Sequence, residues 1–223
     1  MTKVTIYSAV VCPFAHRSRL ALLEKGVDFD LVEIDLQNKP PGFTNISPYG
    51  KVPAIKYGEQ RVWESAIINE YLEEVFPNPS LLPKEPILRA QARIWIDFAN
   101  TRLVPAYSSL LRSPDSEQQK AAAIELQNHL QFIENEALAK LSGDGPYWFG
   151  NSISLVDLTY YPWFERWATI EEYRNFQIPS ELTRLQRWRQ AVSQRESVLA
   201  IANSKEFYLQ RYARFAPVPV SVN

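Results

Sequence analysis

Up to about residue 77 short β-branched runs alternate with helical ones. Past Asn78-Pro79-Ser80-Leu81-Leu82-Pro83-Lys84-Glu85-Pro86, a stretch with three prolines, only helical periodicity remains. A chain whose pattern changes once, at a proline-bearing joint, has to build two units of different class. We therefore expect a mixed α/β unit over 1–77, a linker over 78–86, an all-helical unit over 87–215 and a frayed tail over 216–223.

The first unit has a readable order. Residues 3–11 form a strand, and Cys12-Pro13 opens a helix that runs to Lys25 and stops at Gly26. Residues 28–36 alternate apolar and polar and predict a half-buried strand. A loop with room for one helical turn follows, then a hairpin around Tyr57-Gly58-Glu59-Gln60. A last helix carries Ile67, Ile68, Tyr71, Leu72, Val75 and Phe76 at spacings of three and four. The order β-α-β-β-β-α, with one crossover helix and one hairpin, describes a thioredoxin-like layer. In the second unit residues 87–111 and 116–141 read as long amphipathic helices, with shorter ones around 154–169, 180–193 and 195–212. Ser154 and Asp157 are spaced as a capping box, flanked by Ile153 and Leu158 as a hydrophobic staple.

Composition excludes several functions. A net charge of −1 offers no field for a nucleic acid, and no run reaches the roughly 20 apolar residues of a membrane span. The opening MTKVTIYSAVV turns polar too soon for a signal peptide, so a cytoplasmic location is expected. One cysteine among 223 residues forbids an internal disulfide, and two histidines make a metal site unexpected.

That one cysteine sits where a strand hands over to a helix. Orphan N–H groups and the helix dipole there favour a thiolate, which predicts a pKa below the usual value of about 8.5. Lys51-Val52-Pro53 puts a proline at the start of a strand, where a cis X-Pro bond would turn the Val52 backbone outward to pair with an extended peptide. Glu64-Ser65 opens the next helix, whose N–H groups suit a carboxylate while Glu64 can accept from an ammonium. Lys39, in a loop, can face a second carboxylate. A ligand with a peptide body, an amine, two carboxylates and a sulfur fits this set, and glutathione has all of them. His16 is expected to be packed rather than a base. Arg184, Arg187, Arg189 and Arg195 are expected to form a solvated face. Trp95, Phe98, Trp163 and Trp167 are expected mainly in the core, some lining an acceptor pocket.

Cys12-Pro13-Phe14-Ala15-His16-Arg17-Ser18-Arg19-Leu20, Asn38-Lys39-Pro40, Pro48 to Ala54, and Trp63 to Ile68, in this order, resemble the cysteine-active cytosolic glutathione transferases (omega, lambda and dehydroascorbate-reductase-like). The resemblance implies glutathione as cosubstrate, Cys12 as the catalytic thiol and Phe14 beside it. It also implies Lys39 at the glycine end, Val52 as backbone clamp within Lys51-Val52-Pro53, and Glu64 and Ser65 at the γ-glutamyl group. In Tyr- and Ser-type members a hydroxyl activates glutathione; here Tyr7 and Ser8 lie upstream, and Cys12 takes the loop–helix junction. The implied activity is thiol transfer and reduction, including deglutathionylation and dehydroascorbate reduction, on a small hydrophobic or disulfide acceptor. Conjugation to electrophiles and non-catalytic carriage of a hydrophobic ligand stay open, as does a homodimer.

Overall fold

The structure, a computed structural model, describes residues 3–216. Of the expected tail, all but Ala216 lies outside them. The first unit runs β1 (Val4–Ser8), α1 (Pro13–Glu24), β2 (Phe29–Glu33), a 3-10 turn (Phe43–Asn45), β3 (Ala54–Tyr57), β4 (Gln60–Trp63) and α2 (Ser65–Val75). The sheet order is β2-β1-β3-β4, with β1 parallel to β2 and antiparallel to β3, and β3 antiparallel to β4. This is the thioredoxin-like order read from the sequence. Strand β2 corrects one expectation. Leu31 and Val32 are both exposed and only Phe29 is half-buried. As the edge strand, β2 lies beyond the cover of the helices, so its alternation has no buried face to serve.

The second unit is helical: α3 (Pro86–Phe98), α4 (Val104–Arg112), α5 (Ser116–Phe132), α6 (Ala139–Leu141), α7 (Leu155–Glu165), α8 (Ala168–Arg174), α9 (Thr183–Ser193), α10 (Glu196–Leu199) and α11 (Lys205–Tyr212). The expected long helix over 87–111 is interrupted by a π-helical turn, Ala99–Leu103. Pro105 has no N–H to return to the preceding turn, and the helix widens just before it. The capping box forms: the Ser154 N–H donates to Asp157 Oδ2 at 2.7 Å. Asp157 Oδ1 also accepts from the Trp148 N–H and from Trp188 Nε1, fixing α7 in the core.

The linker is docked. Leu81 and Leu82 are buried, and their N–H groups donate to Glu73 of α2. Glu73 pairs with buried Lys25 at 2.6 Å, and Lys25 also donates to the Phe76 and Pro79 carbonyls. Arg195 is not the solvated cation expected. It forms a two-pronged pair with Glu24 of α1, at 2.5 and 2.6 Å, and donates to the Tyr147 hydroxyl. One hydrophobic cluster runs through both units, so α1 is held in a fixed relation to α7.

Candidate active site

Cys12 is the residue before α1, with extended backbone (φ −82°, ψ 117°). Its N–H donates to the Ala9 carbonyl at 2.9 Å and its own carbonyl accepts from His16 at 3.0 Å, so the sulfur is placed by the turn and by the helix together. Beneath it lies a small apolar cluster of Ala9, Ala15, Ile34, Phe43 and Val52. The thiol donates to the Val52 carbonyl across 3.7 Å.

The helix start does not lower this thiol as expected. Burial pushes the Cys12 thiol up, and the amides of Ala15 and Phe14, with Arg166 and Arg19 farther off, offset only part of that. The expectation weighed the dipole and could not weigh desolvation, because burial depends on residues far away in the chain.

Two cavities share Phe14; Val52, the acceptor of the Cys12 thiol, lines the smaller, and Cys12 itself lines the larger. The first, about 120 Å³, is lined by Phe14, Ser47, Lys51, Val52, Pro53, Trp63, Glu64 and Ser65. Six of the eight expected site residues therefore meet here. The Val52-Pro53 bond is cis, as read from the sequence, and Val52 stands outside the ladder, which begins with Ala54 opposite Tyr7. Ser47 shapes the preceding turn. It accepts from the Lys51 N–H at 3.1 Å and donates to the Lys51 carbonyl at 2.7 Å, while Gly50 takes φ +60°. Glu64 caps α2 with φ +68°, a region side chains rarely adopt, and such outliers gather at ligand sites. Ser65 is buried on the first turn of α2. Lys39 is exposed and lies outside both cavities; Tyr7 and Ser8 stay in β1, also outside them.

The second cavity, about 230 Å³, contains Cys12 and Phe14. It is otherwise walled mostly by the helical unit: Val104, Tyr107, Ser108, Leu111, Arg112, Trp163, Arg166, Arg211, Tyr212 and Arg214, with Val11, Pro13 and Leu36 from the first. Of the four aromatics weighed for this role only Trp163 lines it; Phe14 packs edge-on against Trp163 at 5.1 Å.

Arg17, one turn beyond Phe14, is the main residue that sequence reasoning missed. It is buried, and its guanidinium lies over Trp163 (4.3 Å) and Phe14 (5.0 Å). It donates to the Thr159 carbonyl at 2.9 Å, to Asn100 in the π turn at 2.7 Å and to Ser65 at 3.5 Å. Burial lowers it to about 9. Its neighbours come from three separate segments, so only the spacing Phe14-to-Arg17 on α1 could have pointed to it. His16 is fully buried, with Glu165 at 3.8 Å, and burial holds it well below the ordinary histidine range, so it is neutral. No cluster of three potential metal ligands occurs among the described residues, and no helix there is long and apolar enough to cross a membrane.

Comparison with known proteins agrees with this geometry. The glutathione S-transferase N-terminal domain family matches residues 11–75 and its C-terminal domain family matches residues 117–191. Glutathione S-transferase U19 of Arabidopsis thaliana is 36% identical over 190 residues, covering 83% of each chain. The crystal structure of glutathione transferase Omega 3C from Trametes versicolor superimposes with a TM-score of 0.85 at 32% identity, over 96% of this chain and 90% of that one. A rice glutathione S-transferase solved in complex with glutathione gives 0.85 at 27% identity, over 97% and 99%. The chain belongs to the glutathione S-transferase superfamily, enzymes that use glutathione as cosubstrate.

Proposed function

We propose that this transferase works through Cys12 in glutathione-dependent thiol transfer and reduction. The observation that carries the reading is the position of Cys12, the one cysteine of the chain: it lines the larger cavity, and its thiol donates to the carbonyl of Val52, which lines the smaller one. Glutathione lies in the smaller cavity, its backbone paired with Val52. Its γ-glutamyl group meets Glu64 and Ser65 at the start of α2, and Phe14 and the Lys51-to-Pro53 turn close the sides. Lys39, exposed in its loop, meets the glycine carboxylate from outside.

In the free enzyme the thiol keeps its proton and donates it in a hydrogen bond to the Val52 carbonyl. A bound peptide N–H competes for that carbonyl, which removes the thiol's acceptor and favours the thiolate. The Cys12 thiolate then attacks the glutathionyl sulfur of a mixed disulfide. The Cys12–glutathione S–S bond forms, the old one breaks, and the acceptor leaves as a thiolate that takes up a proton. A second glutathione thiolate attacks the enzyme-bound disulfide, releasing oxidised glutathione and restoring Cys12. With dehydroascorbate, which brings no glutathionyl group, two reduced glutathiones are consumed: the first ends on Cys12 as the mixed disulfide, the second releases it as oxidised glutathione, and their two electrons and two protons go to the acceptor. A cycle fed by reduced glutathione fits a cytosolic setting.

Cys12→Ser separates this from conjugation and from passive carriage. Thiol transfer from a glutathionylated disulfide should vanish, while conjugation to a chloronitrobenzene survives or improves. Unchanged thiol transfer by the serine variant would overturn the reading, and a wild type active only in conjugation would replace it with ordinary transferase chemistry.

A further inference from the structure

The cavity on the helical side of Cys12 has a lining that a purely apolar acceptor does not explain. Arg112, Arg166, Arg211 and Arg214 all face it, and no Asp or Glu lines it. Arg93–Glu70, Arg189–Glu171 and Arg195–Glu24 are ion pairs, and among the described residues none of these four has one. Arg112 and Arg214 rest on the ring of Phe215, and Arg211 on Phe207.

Arg166 is the sharper case because it is fully buried. One terminal nitrogen donates to the Tyr208 hydroxyl at 3.2 Å, whereas Nε and the other terminal nitrogen have no partner among the described residues. Unfilled donors on a buried cation are costly, and a bound anion would offset that cost. The guanidinium fork matches a carboxylate, while Leu111 and Trp163 offer an apolar wall beside it.

We propose that this cavity selects an anionic acceptor, a carboxylate carried on an aromatic or short aliphatic frame. The arginines hold the acid, and the apolar wall turns the reactive end toward Cys12. The proposal rests on the reading of Cys12 as the thiol that works beside bound glutathione, and it narrows the acceptor for that same site.

Titration calorimetry on glutathione-saturated protein tests it with naphthalene-2-carboxylate and its uncharged isostere naphthalene-2-carboxamide. The carboxylate should bind at least about tenfold more tightly. Its advantage should shrink as salt is raised from about 0.05 to 0.5 M, because the three outer arginines are exposed and screened. In the Arg112→Gln, Arg211→Gln, Arg214→Gln triple variant the ratio should fall below about threefold. These side chains are exposed and bear no ion pairs among the described residues, and a thermal melt matching wild type confirms that the fold is kept. Equal affinities in wild type, no measurable binding of the carboxylate, or an undiminished ratio in the triple variant overturns the proposal. Cys12→Ser should keep the carboxylate preference, so a failure of thiol transfer shows in turnover alone and leaves this result standing.

Discussion

The two cavities that meet at Phe14 are assembled in opposite ways. The peptide-side cavity is drawn from the first unit, with pieces only a few residues long: a turn, a cis proline and a helix start. Its walls are set by local backbone geometry, the Lys51-to-Pro53 turn and the start of α2, with Phe14, Glu64 and Ser65 placed by those pieces. The acceptor cavity is drawn largely from α4, α7 and the α11 region, and its character lies wholly in side chains. The first half follows from local geometry, and the second from side chains that distant helices bring together.

Arg17 joins the two halves, so removing it should do the most damage. Arg17→Gln leaves the Asn100 and Thr159 acceptors unpaired and lowers unfolding free energy by about 3 kcal/mol, measured by urea denaturation. A change under about 0.5 kcal/mol would mean the halves are held independently of it.

Next in size is a change confined to the peptide side. Glu64→Gly should raise KM for glutathione about tenfold with little change in acceptor KM. Stability should stay within about 1 kcal/mol of wild type, since glycine tolerates φ +68° freely. If both KM values rise together, the cavities are not separate in function.

His16, buried on α1 and lining neither cavity, gives a smaller, pH-dependent effect. Its folded pKa lies below the unfolded value of about 6.5, so as pH falls through 6.5 the unfolded chain gains a proton that the native chain refuses. Stability should therefore drop between pH 7 and 5.5, by up to about 1.4 kcal/mol per unit, and a His16→Asn variant should lack that share of the slope. Parallel slopes would show that His16 charges in the folded state.

The same contrast explains what could be read from the sequence. Cys12, Val52-Pro53 and Glu64-Ser65 were legible because each is a local motif whose geometry follows from a proline or a helix start. The capping box at Ser154 was legible for the same reason. Arg17 above Trp163, and the four arginines of the acceptor wall, depend on helices distant in sequence packing face to face. Arg195 looked like one of a solvated run because nothing near it announces Glu24. The thiol of Cys12 was misjudged because the dipole is local and desolvation is not. In β2 the alternation was real, but an edge position leaves it without a partner.

The central claim is that Cys12 carries glutathione during turnover, and intact-mass spectrometry tests it most directly. After incubation with oxidised glutathione, wild type should gain one glutathionyl unit that excess reduced glutathione removes, and Cys12→Ala should gain none. Because burial raises the free thiol, adduct formation should speed up as pH rises. A wild-type protein that takes up no adduct at any pH, yet conjugates electrophiles at an ordinary rate, would contradict the account.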